Sequence, residues 1–407
     1  MSNTIITKAL LQKEVIRNLD KKAVIFPVAN QAYTWELRQQ GDTVSVQTLP
    51  SFNMDLGQTA GNAITAEDWA ITSEDLSINN VFTKNLKIKD LEEIQSNLNL
   101  RSDLSWRLAE SMVRTYDQYV ARLAQANVYS WNQITLATPA TETTSTVTTT
   151  LDSVAQYLEE QNVSVDSWNV YCYINPAMKA LINSSDLYKS FDRWLDARLN
   201  WYIGNYAWMQ LIMTNNLPFR IKLTLVTIPT ASDTFTLTIK WTAIVWTYVA
   251  SWAASAAWDI SIWGNAAASQ VNTVLALNWT WTAWATTYID VTAAKRKLMT
   301  NAQLSLTSFT ANVAYMSSAY YVWTAEAVTP ADYVWGTASR TIFACDKNAI
   351  NFVKQMDWFK TTNAVDWFYS NILVENAFGG KVFTNNARRI VTKDITNWAT
   401  VVDILTQ

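Results

Sequence analysis

The sequence contains no histidine among its 407 residues, so the side chain that most often transfers protons and binds metals is missing. Neither a Ser-His-Asp triad nor a Cys-His pair can therefore be formed. The sequence also lacks a glycine-rich phosphate-binding loop and a cysteine pair at zinc-binding spacing. Carboxylates and lysines remain as catalytic groups, but no pair of carboxylates stands out. These absences predict that the chain is not an enzyme and needs neither a cofactor nor a metal ion.

Cysteine, charge and long apolar runs are also scarce. The two cysteines, Cys172 and Cys345, are too few for a disulfide framework, and their apolar surroundings predict buried thiols. Charged residues make up 16 % of the chain and the net charge is −3, which does not favour recognition of nucleic acid. No apolar run reaches the length of a membrane span, and the first residues lack a signal-peptide core. We therefore expect a protein that is made or assembled in a reducing cytoplasm, without a membrane.

Glycine is rare in this chain and tryptophan is abundant. An ordinary chain of this length has about 28 glycines, whereas this one has 8 glycines and 21 tryptophans, together 29. Many of the tryptophans stand beside Asn, Asp, Ser or Thr, where turns usually contain glycine. We hypothesise that the source organism reads the UGA codon as glycine and that the translation wrote tryptophan. The positions predicted to be glycine are Trp201, Trp208, Trp279, Trp281 and Trp284.

The tryptophans also allow another interpretation. A tryptophan-rich surface, as in carbohydrate binders or proteins of the membrane interface, would explain their number but not their turn-like spacing. Trp35 fits a predicted strand as a true aromatic residue, and Trp106, inside a predicted helix, is undecided.

The first third of the chain predicts extended elements followed by a long helix. Residues 1–32 form a predicted amphipathic arm. Residues 33–88 predict two strands around a turn at Gly41, then a polar excursion, then a returning strand over 76–88. Such an excursion is unusual in a compact domain and is typical of a chain that reaches onto its neighbours.

A single helix is predicted over residues 103–126, because apolar residues recur there every three or four positions. Its length would be about 36 Å. The remaining surface of this helix carries Arg107, Glu110, Arg114, Asp117 and Arg122. Charges at this spacing predict an ordinary half-buried helix with a solvated face.

The rest of the chain alternates between mixed and all-β composition. A threonine-rich segment over 138–150 predicts a surface loop, and Pro176 starts a predicted short helix after a buried strand. In residues 219–335 charges almost vanish and short alternating runs recur, which predicts an inserted all-β sandwich or barrel.

The segment LNWYIGNYAWMQLIMTNNLP (199–218) carries a resemblance to a known family. With glycine at Trp201 and Trp208, it reads as Gly-Tyr-Ile followed by Gly204, a further glycine, a strand and Asn-Asn-Leu-Pro. This pattern resembles a signature of the major capsid proteins of tailed bacteriophages. The segments GDTVSVQTLPSF, YINPAMKALI and FGGKVFTNNARRIV resemble other parts of that family in the same order. The structural turn positions that the resemblance implies are Gly41, Trp201, Gly204, Trp208, Gly379 and Gly380.

The resemblance covers most of residues 1–218 and 337–407, and it implies an α+β protein with the Hong Kong 97-type capsid fold. The inserted all-β domain resembles the coat proteins of short-tailed enterobacterial phages in its location and composition. The implied parts are the N-terminal arm (1–32), the extended loop with flanking strands (33–88), the spine helix and peripheral domain (89–137), the axial domain (138–218 and 336–378), the inserted all-β domain (219–335) and the closing strands of the peripheral domain (379–407).

The function that the resemblance implies is that of a major capsid protein, which assembles into the icosahedral shell around the genome of a tailed bacteriophage. Its partners would be copies of itself in pentamers and hexamers, together with scaffolding and portal proteins. It would enclose double-stranded DNA without sequence recognition, in a virion capsid assembled in the cytoplasm of the host bacterium. An encapsulin-like compartment shell is one alternative, against which the extended loop and the β insertion count. A Thr/Asn-rich surface adhesin is the other, against which the lack of a signal segment counts.

Overall fold

The computed structural model of the chain describes most of the predicted elements. The described residues are 23–36, 43–48, 71–89, 100–134, 139–164, 169–185, 202–225, 234–239, 242–249, 259–261, 303–310, 313–319, 323–326, 333–335, 338–355, 358–363 and 369–396. The predictions on residues 1–22, Gly41, Trp201, Trp279, Trp281 and Trp284 lie outside these residues.

Strands outnumber helices in the described residues. The helices are α1 (Leu100–Asn127), α2 (Val147–Glu160) and α3 (Pro176–Ser184). The strands are β1 (Thr43–Thr48), β2 (Thr72–Ser77), β3 (Asn80–Lys89), β4 (Gln133–Ile134), β5 (Val170–Ile174), β6 (Tyr202–Tyr206), β7 (Met209–Met213), β8 (Phe219–Leu225), β9 (Thr234–Ile239), β10 (Thr242–Val249), β11 (Asp259–Ser261), β12 (Ser305–Thr310), β13 (Val313–Ser318), β14 (Trp323–Glu326), β15 (Tyr333–Trp335), β16 (Ser339–Asp346), β17 (Asn351–Lys354), β18 (Trp358–Asn363), β19 (Tyr369–Lys381) and β20 (Ile390–Ile395). This mixture confirms the predicted α+β class, and α1 confirms the predicted long helix.

The described residues belong to two compact units. The first unit contains the described residues within 29–112 and 348–384. The second unit contains those within 20–28, 113–347 and 385–396.

The described strands of the first unit form two sheets. Strands β1 and β2 form an antiparallel pair, here called the ribbon, in which Thr43 lies opposite Ser77 and Thr48 lies opposite Thr72. The other sheet has the order β17–β19–β18, and β3 also pairs with β19 along ten residues. The N-terminal part of α1 covers this sheet, because Leu108 packs against Val374.

The second unit is built on a ten-stranded sheet. Its main path runs β12–β13–β8–β16–β5–β7–β6, with β15 beside β8, β20 beside β16 and β4 beside β20. Strand β16 pairs with β5, β8 and β20, and its residues are buried from Ser339 to Cys345. Burial on both faces suits its continuous apolar run, TIFAC. Phe343 of β16 packs on Tyr173 of β5, with ring centroids 4.8 Å apart.

Helix α2 corrects the prediction of a surface loop over 138–150. The helix begins at Val147, and its residues Val147, Leu151, Val154 and Leu158 are at most 1 % exposed. These residues lie three or four positions apart, so one face of the helix is apolar. The burial of that face outweighs the low helix propensity of the threonines around it.

Helix α3 confirms the helix predicted to begin at Pro176. The side chain of Asn175 accepts a hydrogen bond from the amide of Met178 at 2.8 Å and caps the helix. Pro176 occupies the first turn, where a missing amide hydrogen costs nothing. The Asn-Pro pair at the end of β5 is thus a helix start.

Of the strands predicted in the first unit, the one at Trp35 is wrong and the returning strand is confirmed with a different start. Trp35 ends a 3-10 helix (Ala32–Trp35) and is 72 % exposed. The Oδ1 atom of Asn30 accepts a hydrogen bond from the amide of Ala32 at 3.0 Å, which favours a turn there. The returning strand predicted over 76–88 is divided between β2 and β3, because the chain turns at the buried Ile78.

All described elements in residues 219–335 are strands, as the composition predicted. Strands β9, β10, β11 and β14 form a four-stranded sheet of their own, whereas β8, β12, β13 and β15 belong to the ten-stranded sheet. The limits of a separate inserted domain stay a prediction.

Candidate functional site

The carboxylate of Asp117 in α1 binds a short N-terminal segment, residues 24–26, here called the strap. Its Oδ1 atom accepts hydrogen bonds from the amides of Ile25 at 2.5 Å and Phe26 at 2.8 Å. Its Oδ2 atom accepts from the amide of Val24 at 3.1 Å. Three consecutive amide groups therefore converge on one carboxylate.

The carboxylate of Asp117 and the middle residue of the strap are buried, whereas Val24 and Phe26 are partly exposed. Asp117 is fully buried and Ile25 is 1 % exposed. The ring centroids of Phe26 and Tyr116 lie 5.6 Å apart, and Asn216 donates a further hydrogen bond to Oδ2 at 2.7 Å. Burial raises the pKa of Asp117 above its ordinary value and outweighs the lowering by these hydrogen bonds.

Asp117→Ala should strongly destabilise the second unit. The substitution leaves three amides and the Asn216 side chain without their acceptor, which should lower the free energy of unfolding by about 3 kcal/mol. Denaturant unfolding of the unassembled subunit measures this. The matched control is Asp152→Ala, which removes an exposed carboxylate that accepts one hydrogen bond from Tyr206 at 2.8 Å. Equal losses for both variants would contradict the assignment of Asp117 as the anchor of the strap.

The base of the ribbon is fastened to the end of β19 by polar contacts. The Oε1 atom of Glu74 accepts a hydrogen bond from the amide of Thr384 at 2.9 Å, and its Oε2 atom lies 3.5 Å from Nζ of Lys381. The same Nζ donates to the carbonyl of Asp75 at 3.1 Å. Partial burial raises the pKa of Glu74, but the hydrogen bonds from Thr384 and the charge of Lys381 outweigh it and hold the pKa below its ordinary value.

Apolar packing fixes the same base. Leu76 of the ribbon belongs to a buried cluster, whose other members are Ile78, Val353, Ala377 and Phe383. Three partly buried residues pack against this cluster, namely Tyr33, Val44 and Val46. Val44 and Val46 alternate with exposed residues along β1, so one face of the ribbon is held by the cluster and the other faces outward.

Gly379 of β19 is required by a close approach of two backbones. A Cβ atom built on Gly379 would lie 2.0 Å from the carbonyl oxygen of Ser77 and 3.1 Å from Cα of Ile78. Both contacts are with backbone atoms, which cannot rotate away as a flexible side chain can. The turn that leads out of the ribbon therefore lies directly on β19 because residue 379 has no side chain.

A buried polar network joins α1 to the ten-stranded sheet. Nη1 of Arg220 lies 2.9 Å from Oδ2 of Asp394, and both side chains are at least nine-tenths buried. Thr341 donates to Oδ1 of Asp394 at 2.5 Å and accepts from Nε2 of Gln125 in α1 at 2.6 Å. Nη2 of Arg220 also donates to the carbonyl of Gln125 at 3.2 Å. Removing one member would leave buried charge or polar groups without partners.

A second arginine, Arg122, extends this network through hydrogen bonds to neutral side chains. Arg122 donates to the side chains of Gln125 and, at 2.5 Å, of Ser305. Burial, together with the positive charge of Arg220, lowers the pKa of Arg122 to about 9. Two arginine side chains and one aspartate, Asp394, thus take part in this network.

The segment before α2 contains another buried ion pair. Glu142 lies 3.0 Å from Nζ of Lys393, which also donates to Thr150 at 2.6 Å. Thr146 donates to Glu142 at 2.8 Å. Burial raises the pKa of Glu142, but these hydrogen bonds and the Lys393 charge hold it below its ordinary value. The threonine-rich segment is thus tied to β20.

Both cysteines are free thiols buried in the ten-stranded sheet. Cys172 lies opposite Ala344, and Cys345 lies opposite Tyr171. Burial raises the pKa of Cys172 to about 12 and raises that of Cys345 further.

The predicted turn positions do not gather into one site. Gly204 lies in β6 at a register shift between Tyr202 and Gly204. Trp208 lies in the turn between β6 and β7, with φ of 65°. Gly379 and Gly380 lie inside β19 and not at a turn.

The buried charges of α1 differ from the pattern that the sequence predicts. The spacing predicts Arg114, Asp117 and Arg122 on a solvated face of the helix, but each is at most 8 % exposed. The contacts of Asp117 with residues 24–26 and Asn216, and that of Arg122 with Ser305, join residues far apart in the chain, so no local pattern marks them.

The described residues contain no group of three or more His, Cys, Asp or Glu side chains placed to hold a metal ion. None of the helices that the structure describes is long and apolar enough to cross a membrane.

No family model and no curated protein matches the chain. Solved structures do match. A chain of Mycobacterium phage Che8 has a TM-score of 0.56 and 12 % identity, over 97 % of this chain and 98 % of that one. A chain from the capsid of cyanophage P-SCSP1u has a TM-score of 0.51 and 13 % identity, over 96 % and 94 %. A chain from the mature capsid of bacteriophage PhiM1 has a TM-score of 0.51 and 7 % identity, over 97 % and 93 %.

These likenesses extend over nearly the whole of each chain. The chain therefore has the fold found in phage capsids, and the resemblance read from its sequence is confirmed at the level of the fold.

Proposed function

We propose that the chain is the major capsid protein of a tailed bacteriophage and builds the icosahedral shell around the genome. The observation that carries this proposal is the structural likeness, over nearly the full length of both partners, to chains from two phage capsids. A shell protein works by binding copies of itself, so it needs no catalytic group, cofactor or metal ion. The lack of histidine supports a role of this kind.

The ribbon is the element that we assign to contacts between subunits. Its base is fixed by the Glu74 contacts, by the apolar cluster and by the close approach at Gly379. The connection between Thr48 and Thr72 is long, polar and rich in turn-forming residues. Such a segment cannot bury enough apolar area on its own subunit to offset its ordering entropy. A fixed base and a long polar connection suit an arm that is completed by a neighbouring copy.

The remaining elements take the roles implied by the capsid fold. Helix α1 acts as the spine helix, and the sheet around β5 and β16 with α2 and α3 acts as the axial domain, which gathers copies into pentamers and hexamers. The strap, which Asp117 of α1 holds, would anchor the N-terminal arm that the sequence predicts over residues 1–32. Each contact between copies would bury an area of the order of 1,600 Å², and hundreds of modest contacts close the shell.

The net charge of the chain is consistent with a shell that encloses double-stranded DNA without recognising its sequence. The net charge is −3, so the protein as a whole provides no excess of cations to replace the counterions of DNA. We place the protein in the virion capsid, assembled in the cytoplasm of the host bacterium with scaffolding and portal proteins.

Particle formation tests the proposal. The chain, with tryptophan and separately with glycine at the five positions predicted to be glycine, is expressed together with the genes that neighbour its own. At least one version should elute in the void volume of size-exclusion chromatography and show closed shells by electron microscopy. Folded monomers from both versions would contradict a shell function. Closed shells that carry protein cargo and no DNA would favour the encapsulin-like alternative.

A further inference from the structure

The turn between β6 and β7 has a backbone that selects glycine. Tyr206 lies opposite Met209, so Ala207 and Trp208 form a two-residue hairpin loop. Their φ angles are 44° and 65°, both in the left-handed region. Positive φ at both central residues is the signature of the type I′ turn, whose second central position is most often glycine.

Tryptophan is poorly suited to this position. A left-handed backbone brings Cβ too close to the following carbonyl oxygen, and a bulky residue there is an outlier. Four non-glycine residues of the described chain have positive φ, and the others are Asn162, Ala207 and Gln303. The side chain of Trp208 is 54 % exposed, so more than half of its surface stays in contact with solvent.

The other described tryptophan side chains are also exposed. Trp35, Trp106 and Trp131 are 72 %, 58 % and 75 % exposed. Tryptophan is normally among the residues that bury most of their surface. Exposure alone fits both a tryptophan-rich surface and recoding, whereas the left-handed backbone at the bulky Trp208 favours recoding.

We infer that residue 208 is glycine in the natural protein, and that a glycine-charged tRNA which reads UGA decodes this position. The inference is independent of the proposed function, since any protein with this hairpin would need it. The same decoding would apply to Trp201, Trp279, Trp281 and Trp284, whose neighbours are turn-forming residues.

Two measurements on the natural protein test the inference directly. The codon for position 208 should be UGA, and mass spectrometry of proteolytic peptides from the natural protein should give the mass of glycine there. A tryptophan mass at position 208 would overturn the inference.

A pair of variants tests the backbone argument separately. Trp208→Gly and Trp106→Gly each remove a side chain that is more than half exposed. Trp106 lies inside α1, where its Nε1 donates to Glu110 at 3.0 Å and where glycine is unfavourable. Trp208→Gly should raise the midpoint of thermal unfolding by about 2 °C, and Trp106→Gly should lower it. A similar fall for both variants would contradict the requirement for glycine at the hairpin.

Discussion

Replacing residues 49–71 with Asn-Gly should abolish closed particles while the subunit stays folded. The replacement joins Thr48 to Thr72, which lie opposite each other, by the two-residue loop that antiparallel strands favour. The ribbon, its base and the cluster that includes Leu76 are unchanged, so the subunit keeps its own contacts. If the excursion makes the proposed contacts with neighbouring copies, these are lost, and the shell yield should fall below detection by size-exclusion chromatography and electron microscopy.

A second variant tests whether the length or the sequence of the segment between Thr48 and Thr72 matters. A Gly/Ser segment of the same length restores the reach of the connection but not its side chains, and it should also fail to close shells. Normal particles from the Asn-Gly variant would show that the excursion does not join subunits. Loss of cooperative unfolding in that variant would show that the excursion belongs to the core of its own subunit.

Gly379→Ala should loosen the ribbon from β19. The added methyl group would overlap the carbonyl oxygen of Ser77, so one of the two backbones must move. Forcing an extra carbon into packed structure costs about 1–3 kcal/mol, which denaturant unfolding can measure. In the proposed shell the ribbon contacts a neighbouring subunit, so a change in its orientation should also lower the yield of closed shells.

The neighbouring glycine is the matched control. Gly380→Ala adds the same methyl group to the same strand, but successive side chains point to opposite faces, so the methyl would point away from Ser77. Gly380→Ala should therefore cost less than Gly379→Ala. Equal costs would indicate that β19 rejects any substitution and that the approach of Ser77 is not the cause.

The elements with strong local patterns were predictable from the sequence. The apolar spacing of α1, the Asn175-Pro176 start of α3 and the buried run of β5 each carry their own signal. The capsid fold was recognised from the order of several short motifs rather than from any one of them.

The contacts that hold the ribbon and the strap could not be predicted. The strap amides lie 91 to 93 residues before Asp117, and backbone amides leave no mark in a sequence. Glu74 meets Thr384 across 310 residues. A glycine at position 379 is notable in a chain with so few glycines, but the sequence does not show whether it serves a turn or a close approach of two backbones. The position of the Ser77 carbonyl at the end of β2 shows that it serves a close approach.

Cys172 and Cys345 should not react with thiol reagents in the folded protein, because both thiols are buried. The thiolate is the reactive form, and burial disfavours it by raising the pKa of both thiols. A single cysteine introduced at the exposed Thr43 of the ribbon would therefore take up one fluorophore per subunit without background labelling. Energy transfer between labelled copies would then follow the closure of a shell in real time, from free subunits onward.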